Sequence, residues 1–407
     1  MSNLDSVNNA ESIRVGIVTK EWPPAVYGGA GVHVVQLTEA LRTSSNVTLN
    51  VTVDVHCFGG ARTDGAFGYE TPVEFKDANP AIAALATDLA IADQLSSVDL
   101  VHSHTWYANM AGHTASLLHG IPHIVSAHSL EPLRPWKAEQ LGGGYQISSW
   151  AEKTAYEGAA AVIAVSDGMR ADVLKAYPNI EPSKVVTIRN GVDTEKFTPN
   201  TDTAVLKEFG ITGRYAIFVG RITRQKGLAH LLRAWRHVPE DIGLVLAAGS
   251  PDEPGIGAEV AELIAELQKT RKNIWWIKEM LPHEKLTAAL TNADLFLCPS
   301  VYEPLGIVNL EAMACQTAVL ASRVGGIPEV VDHGVTGELV DYNEGDISGF
   351  EESLASSITR LMSQPELLIQ YGIAGRGRAI AEFGWEAVAA RTIELYRFVI
   401  QSFVKQR

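Results

Sequence analysis

Short apolar runs alternate with amphipathic segments along the first half of the chain. Ile13–Thr19 is almost continuously apolar, whereas Ala30–Arg42 places its apolar side chains at helical spacing. The first pattern predicts a buried strand and the second predicts a helix. The predicted strands of this half are Ile13–Thr19, Leu49–Cys57, Leu100–Ser103, Ile124–Ala127, Val162–Val165 and Val185–Ile188, with helices that include Ala30–Arg42 and Ala81–Leu95.

A polar segment that contains proline, Phe197–Thr203, interrupts the series and predicts a linker. A second series follows, with predicted strands at Ala216–Val219, Leu244–Ala248, Ile274–Ile277, Leu295–Leu297, Ala318–Ala321 and Thr336–Val340. Such alternation predicts parallel sheets with helices on both faces. We therefore expect an α/β fold of two doubly wound, Rossmann-like domains, with a ligand cleft between them at the carboxyl ends of the strands.

The net charge and the cysteines indicate which partners and which cellular compartment to expect. The 407 residues carry a formal net charge of −14, which disfavours nucleic acid or an anionic membrane as a partner. The longest apolar runs are too short to span a bilayer, and the N-terminus lacks the pattern of a signal peptide. Cys57, Cys298 and Cys315 are scattered along the chain. We expect a cytoplasmic protein with three reduced thiols.

The segment Phe218–Gly227 follows a predicted strand and places two cations at its carboxyl end. Arg221 and Lys226 lie beside glycines that let a ligand approach the backbone. Fixed cations at this place would neutralise a departing diphosphate, because negative charge grows there as the bond to it breaks. By themselves, the two residues also fit ordinary solvated loop cations.

The segment Ser300–Met313 places two carboxylates around a predicted helix start. Glu303 precedes the helix and Glu311 lies about two turns along it, while the backbone near Gly306 offers free N–H groups to an anion. A nucleotide-sugar has this layout of sugar hydroxyls, diphosphate and ribose hydroxyls. A capped surface helix with ordinary glutamates is the alternative, and the preceding cation pair favours the nucleotide-sugar.

The glycines at Gly28–Gly31 follow the first predicted strand but do not complete a dinucleotide fingerprint. Position 34 is Val34, and no acidic residue ends the second strand, which disfavours hydride transfer. The turn either approaches a phosphate or only joins a strand to a helix. The chain contains no Asp-x-Asp pair, so we expect no metal requirement and no cofactor.

The acceptor side has two groups of candidates in the first half. Aromatic and imidazole side chains after one strand offer a carbohydrate surface or simply core packing, and three cations offer a second anion site or surface salt bridges. The candidates are His104, Trp106 and Tyr107 in the first group and Arg134, Lys137 and Arg170 in the second. His102 and His104 suggest a metal by their spacing, but the sequence shows no third ligand cluster.

Four segments together resemble a known family: Gly220–Gly227, Ser300–Met313, Tyr27–Val32 and His128–Lys137. They resemble the retaining glycosyltransferases of the fourth family, which have the GT-B fold, and more narrowly the actinobacterial-type glycogen synthases. The resemblance implies transfer of glucose from ADP-glucose or UDP-glucose to the non-reducing end of an α-1,4-glucan. A homo-oligomer is left open.

The resemblance also implies roles for single residues. His128 lies beside the reacting sugar, Arg221 and Lys226 hold the diphosphate, Glu303 binds sugar hydroxyls and Glu311 binds ribose. Gly28, Gly29, Leu305 and Gly306 approach the donor through their backbone. The expected domains are residues 1–197 for the acceptor and 198–384 for the donor, with residues 385–407 as a helix that crosses back to the first domain.

Two other functions fit the same resemblance. A phosphate-bearing acceptor, glucose 1-phosphate, would yield maltose 1-phosphate and would need cations such as Arg134 on the acceptor side. A sugar-nucleotide 2-epimerase is the more distant alternative, and the stretch His128–Tyr156 counts against it.

Overall fold

The computed structural model describes residues 11–44, 49–134 and 142–405, which form two compact units. The first unit runs to Arg189 and takes up the chain again from Trp385, and the second is Asn190–Gly384. The expected boundary at residue 197 therefore moves to Asn190. The physical reason is that the polar segment expected as a linker packs within the second unit, where the Asn200 N–H donates to Thr291 Oγ1 (3.0 Å).

The first unit contains a seven-stranded parallel sheet in the order β3-β2-β1-β4-β5-β6-β7. Its strands are β1 (Glu11–Thr19), β2 (Leu49–Phe58), β3 (Phe67–Tyr69), β4 (Leu100–His104), β5 (His123–Ala127), β6 (Ala161–Ala164) and β7 (Val185–Thr187). Its helices are α1 (Gly29–Thr43), α2 (Pro80–Asp93), α3 (Trp106–His119), α4 (Gly144–Gly158) and α5 (Asp167–Ala176), and the chain returns as a long C-terminal helix (Trp385–Lys405).

The C-terminal helix completes the core of the first unit. Its buried side chains, among them Val388 and Tyr396, belong to the same apolar cluster as Ile17 of β1 and Leu37 of α1. The Tyr396 hydroxyl also lies 2.7 Å from His102 Nδ1, and both groups are fully buried. The helix is therefore part of the first unit by packing and by hydrogen bonding.

The second unit contains a six-stranded parallel sheet in the order β10-β9-β8-β11-β12-β13. Its strands are β8 (Tyr215–Ile222), β9 (Gly243–Pro251), β10 (Ile274–Ile277), β11 (Leu295–Cys298), β12 (Ala318–Ser322) and β13 (Gly337–Val340). Its helices are α6 (Ala204–Glu208), α7 (Leu228–Trp235), α8 (Pro254–Thr270), α9 (His283–Thr291), α10 (Ile307–Ala314), α11 (Ile327–Val330), α12 (Ile347–Met362) and α13 (Pro365–Glu382). The C-terminal helix of the first unit, Trp385–Lys405, is α14 in chain order.

Both sheets confirm the predicted α/β class with two Rossmann-like units. In each sheet the strand order reverses beside the first strand, between β1 and β4 in one unit and between β8 and β11 in the other. Ligands of open parallel sheets bind at this reversal, outside the carboxyl ends of the strands. Gly28 and His104 lie there in the first unit, and Lys226 and Glu303 lie there in the second.

Two further observations concern the chain as a whole. Across residues 11–44, 49–134 and 142–405, no helix combines the length and apolarity that crossing a membrane demands. Cys57, Cys298 and Cys315 are all buried thiols without a disulfide partner.

Gly227 generates a stability prediction because its backbone lies in the left-handed region against another loop. Its φ is +65°, and an added Cβ would lie 1.9 Å from the Pro299 carbonyl oxygen. We expect Gly227→Ala to lower the free energy of unfolding by about 3 kcal/mol or more, since backbone strain and a clash add together. Urea denaturation of the purified protein measures the change.

The matched control is Gly213→Ala, in the same unit. Gly213 also has a positive φ of +74°, but an added Cβ there would meet nothing within 4 Å. We expect Gly213→Ala to lower the free energy of unfolding by only about 1 kcal/mol, because it adds backbone strain without a clash. Equal losses in the two variants would show that the loop at Gly227 is not packed as described.

Candidate active site

In the second unit, the loops after β8 and β11 are joined by a buried ion pair. Lys226 Nζ donates to Glu303 Oε2 at 2.6 Å, and the two side chains are only 19% and 8% exposed. Ser300 Oγ donates to the same carboxylate oxygen at 3.0 Å. The backbone adds a third link, because the Val301 N–H donates to the Gln225 carbonyl oxygen at 2.9 Å. The structure thus brings together the predicted cation and the predicted sugar-binding acid.

The loop after β12 holds Glu303 from the other side. The Gly326 N–H donates to the Glu303 carbonyl oxygen at 3.0 Å. Gly325 has a φ of +52°, and an added Cβ would lie 1.9 Å from that same carbonyl oxygen, so only glycine allows this approach. Ser322 Oγ donates to the Ser300 carbonyl oxygen. Glu303 is therefore held at its backbone as well as at its carboxylate.

The charge of Lys226 depends on these neighbours. Burial lowers the pKa of Lys226, but the Glu303 carboxylate, Cys298 and the hydrogen bond to Glu303 raise it more, so the pKa lies above its usual value. Lys226 is therefore an ammonium at neutral pH. A fixed ammonium in a partly dry site acts strongly on an approaching diphosphate.

Arg221, the second predicted clamp residue, has a partner of its own. Arg221 Nη1 donates to Asp252 Oδ1 at 2.6 Å, and its side chain is 42% exposed. The positive charge of Arg221 opposes the rise in the pKa of Lys226, but its effect is smaller than that of Glu303. Both predicted cations are therefore present, and the side chain of Arg221 is the more exposed of the two.

Glu311 lies on α10, whose first residue follows Gly306. The Leu305 side chain is buried and anchors this turn. Burial raises the pKa of Glu311 to about 7, and the opposing effect of Lys226 is smaller. Within the described residues no side chain is hydrogen-bonded to the Glu311 carboxylate, which therefore has its acceptor capacity open for ligand hydroxyls.

In the first unit, histidines gather at the sheet edge. His104 ends β4 and His128 follows β5, and His104 Nδ1 lies 2.9 Å from His128 Nε2. Burial lowers the pKa of His128 to about 4, so the ring is neutral at pH 7. His33 of α1 places its ring centroid 4.7 Å from that of His128. The sequence offered no third ligand beside His102 and His104, whereas the structure supplies His33 and His128.

The expected carbohydrate surface after β4 is mostly interior. His104 is fully buried, and Trp106 is 4% exposed and packs with Ala81. Of the two alternatives that the sequence left open for His104 and Trp106, core packing is therefore the one that the structure supports. Tyr107 is partly exposed and has Lys20 Nζ 3.7 Å above its ring. Of these three candidates, only Tyr107 is partly exposed to solvent, and His104 Nδ1 faces His128.

The glycine loop has a partner that sequence reasoning missed. Glu21 Oε2 accepts the Gly28 N–H at 2.7 Å and the Tyr27 N–H at 2.9 Å. An added Cβ on Gly31 would lie 2.5 Å from that same oxygen. Gly29 is exposed, with open space around it. The carboxylate thus fixes the loop and leaves Gly29 as its most accessible point.

The three predicted acceptor cations have different surroundings. Arg134 is partly exposed and donates from Nη1 to Ser129 Oγ at 3.1 Å, and its buried Nε has no hydrogen-bond partner among the described residues. Arg170 donates from Nε to the Val185 carbonyl and from Nη2 to the Pro182 carbonyl. Lys137 lies outside the described residues. Arg134 therefore has donors left for an anion, whereas Arg170 mainly binds backbone.

Two buried acids support the segment that leads to Arg134, and sequence reasoning missed their role. Glu152 Oε1 accepts the Glu131 N–H at 2.8 Å and also the Tyr177 hydroxyl proton. Ser148 Oγ donates to Glu131 Oε2 at 2.7 Å. Burial, with the Glu131 charge, raises the pKa of Glu152 to about 8. The signal in the sequence was the position of both acids within His128–Tyr156, a stretch that resembles the family.

Comparisons with known proteins agree with this layout. Residues 207–378 match the family model of glycosyl transferases group 1, and residues 27–196 match that of Glycosyltransferase Family 4. The α-maltose-1-phosphate synthases of Mycolicibacterium smegmatis and Mycobacterium tuberculosis are 52% and 50% identical to this chain. Each alignment spans 392 residues, which are 95% of this chain and 100% of the relative.

Solved structures show the same architecture at lower identity. Sucrose-phosphate synthase from Thermosynechococcus elongatus superposes with a TM-score of 0.79 at 23% identity, over 96% of this chain and 100% of that one. The catalytic domain of starch synthase IV from Arabidopsis thaliana, bound to ADP and acarbose, gives 0.75 at 18% identity over the same shares. These likenesses confirm the predicted GT-B fold.

The relatives contradict the main functional prediction. The sequence favoured a glycogen synthase, yet the relatives that match at about half identity over the full length are named α-maltose-1-phosphate synthases. The prediction of a glycogen synthase was therefore wrong, and the alternative is better supported. The physical reason is that the motifs at Lys226, Glu303 and Glu311 concern the donor, which does not determine the acceptor.

Glu311 generates a pH-dependent stability prediction. Its pKa is about 7 in the folded protein against the ordinary 4.5, so between these values the folded protein keeps a proton that the unfolded chain releases. Wild-type stability should fall as the pH rises from 4.5 to 7, and Glu311→Gln should remove this loss. We expect the variant to be more stable than wild type at pH 8, by about 1–3 kcal/mol.

Urea denaturation at pH 5 and pH 8 measures the difference, which should be small at the lower pH. The exposed Glu352 provides the control, because Glu352→Gln should leave the pH dependence as in wild type. A Glu311→Gln variant with the wild-type pH dependence would contradict the raised pKa.

Proposed function

The chain belongs to the glycosyltransferase group 1 family of GT-B enzymes and is a hexosyltransferase, and from this premise we propose that it glucosylates glucose 1-phosphate. The donor is ADP-glucose or UDP-glucose, and the product is α-maltose 1-phosphate. The observation that carries the proposal is the 52% identity to an α-maltose-1-phosphate synthase over 95% of this chain. That span includes the unit that contains Arg134 and His128.

In the proposed reaction, the second unit binds the donor at its strand reversal. Lys226 and Arg221 bind the diphosphate, Glu303 accepts hydrogen bonds from the glucose hydroxyls, and Glu311 accepts them from ribose. The C1–oxygen bond to the diphosphate breaks while the acceptor 4-hydroxyl forms a bond to C1 on the same face. The hydroxyl proton passes to the departing phosphate oxygen. Lys226 stabilises the charge that grows on this oxygen.

His128 serves this reaction as a neutral group. With a pKa of about 4 it carries no charge at pH 7, and its Nε2 is bonded to His104. Its other ring nitrogen, Nδ1, is the one that remains for a sugar hydroxyl. His128 therefore orients the sugar rather than acting as a cation or as a nucleophile.

The acceptor phosphate needs a cation on the first unit, and Arg134 supports it best. Its guanidinium has a single hydrogen bond from Nη1 and an unpartnered Nε among the described residues. A guanidinium that uses one of its five N–H donors keeps donors for a phosphate, which it binds well. A neutral glucan would gain nothing from this charge.

The acceptor assay is the direct test of the proposed function. The purified protein is incubated with ADP-glucose or UDP-glucose and with either glucose 1-phosphate or glycogen, and the products are separated by mass spectrometry. We expect a disaccharide monophosphate with the first acceptor and no extension of the second. Elongated glucan without the disaccharide phosphate would overturn the proposal, and so would an epimerised donor sugar in the absence of acceptor.

A pair of arginine variants sharpens the same assay. Arg134→Ala should raise the KM for glucose 1-phosphate about tenfold or more and leave the KM for the donor unchanged, since a charge-assisted hydrogen bond is lost. Arg170→Ala is the comparison, because its donors bind the Val185 and Pro182 carbonyls. Equal effects from both variants would reject the assignment of the phosphate to Arg134.

Lys226 generates the prediction for the chemical step. Lys226→Ala removes the ammonium at the departing phosphate, and we expect kcat to fall about 100-fold or more. The control is Lys285→Ala, because Lys285 lies at the surface of the same unit and pairs there with Glu208. Steady-state kinetics with both variants measure the effect. Near-normal turnover of Lys226→Ala would remove Lys226 from the reaction.

A further inference from the structure

Three imidazole rings from three separate elements meet at the carboxyl edge of the first sheet. His33 comes from α1, His104 ends β4 and His128 follows β5. One ring nitrogen of each lies within 4.8 Å of the others. The ring centroids are 4.7 Å apart for His33 and His128, 5.2 Å for His104 and His128, and 5.6 Å for His33 and His104.

These spacings match a tetrahedral metal site. A Zn²⁺–imidazole bond of about 2.0–2.1 Å places each ring centre about 3.2 Å from the metal, and three such rings then lie about 5 Å apart. The nearest pair of nitrogens, His104 Nδ1 and His128 Nε2, is 2.9 Å apart. To share one metal ion these two nitrogens would separate to about 3.3 Å, and the His33 nitrogen, which lies within 4.8 Å of them, would approach to the same distance.

The chemical state of the rings also suits a metal. Burial lowers the pKa of both His104 and His128, so both rings are neutral at pH 7, which is the form that binds metal ions. His104 Nε2 is fully buried and has no hydrogen-bond partner among the described residues. It could carry the ring proton while Nδ1 binds the metal, and His128 would likewise bind through Nε2 and keep its proton on Nδ1. Two metal bonds would replace the hydrogen bond between His104 Nδ1 and His128 Nε2, and each ring would keep one proton.

The neighbouring His102 does not compete for the ring of His104. His102 lies against His104 with a centroid distance of 4.2 Å, but its own nitrogens are bonded to Tyr396 and Ser126. His128 is only partly buried, so a metal could enter from its side and keep a fourth position for water. Three nitrogen ligands and an open position fit Zn²⁺ and Co²⁺, whereas Mg²⁺ and Ca²⁺ require oxygen ligands.

We propose that His33, His104 and His128 bind one divalent transition-metal ion of the Zn²⁺ and Co²⁺ class, and that this ion inhibits the enzyme. Binding depends only on the three rings. Inhibition rests on the proposed function, because a metal bound to Nε2 would fix the His128 ring in the orientation that the metal requires and so draw Nδ1 away from the sugar hydroxyl that it otherwise orients. The site is therefore a point of inhibition and not a requirement for catalysis.

A cobalt titration of metal-free protein tests the binding. Tetrahedral Co²⁺ absorbs strongly in the visible range, and we expect a saturating band at one equivalent in wild type. His33→Gln should weaken binding at least tenfold, whereas His237→Gln should leave it unchanged, because His237 is an exposed histidine of the other unit. Absence of a tetrahedral band, or the same band in His33→Gln, would overturn the site, as would several weak equivalents that mark adventitious binding.

X-ray absorption of wild-type protein with one equivalent of Zn²⁺ gives a second test that needs no variant. We expect three imidazole ligands and one oxygen. Sulfur ligands would overturn the site by placing the metal at a cysteine, and a shell of oxygens alone would place it on surface carboxylates. This measurement decides the question even where His33→Gln fails to fold.

The activity assay separates the site from the proposed function. Zn²⁺ should inhibit wild type with a chelator-reversible loss of turnover, and the inhibitory concentration should rise at least tenfold in His33→Gln. A cobalt band together with full activity would confirm the site but reject both the inhibition and the role of His128. If no acceptor is glucosylated, the proposed function fails, and the two spectroscopic tests still decide the metal site.

Discussion

The buried ion pair between Lys226 and Glu303 is the constraint on which the proposed donor site depends. Two buried charges are stable only as a pair with further hydrogen bonds, and here Ser300 Oγ donates one to the Glu303 carboxylate while the Gly326 N–H holds the Glu303 backbone. The pair fixes the loops after β8 and β11 relative to each other before any ligand binds. An ammonium held in this way needs little rearrangement when negative charge develops beside it, which is the condition for effective electrostatic stabilisation.

The sheet edge of the first unit carries neutral side chains where that of the second unit carries a charged pair. Its sheet edge gathers histidines that burial keeps uncharged, among them His104 and His128. Neutral rings can donate and accept hydrogen bonds without attracting or repelling a phosphate. At its sheet edge the second unit therefore supplies a fixed charge, whereas the edge of the first unit supplies oriented, uncharged rings and leaves the charge to Arg134 in the segment that follows. A retaining transfer that passes a proton from acceptor to leaving group is compatible with both.

The parallel sheets and the meeting of Lys226 with Glu303 were predictable from the sequence, because both residues follow apolar strands whose carboxyl ends share an edge. Other contacts were not predictable. His33 reads as a polar position on an amphipathic helix, and only the packing of α1 buries it beside His128. Glu21 precedes the glycine loop without any motif, since its role depends on how the chain folds back. The acceptor was misassigned because the strongest motifs describe only the donor.

The discontinuity of the first unit has a consequence for biosynthesis. Its core includes Val388 and Tyr396, which are synthesised after the whole of the second unit. The second unit is continuous in sequence, from Asn190 to Gly384, and has its own core. Domains usually mature in the order of their synthesis. Here we expect the order to be reversed, since the core of the N-terminal sheet is complete only after Trp385–Lys405 is made, whereas the second unit is synthesised in full before that helix.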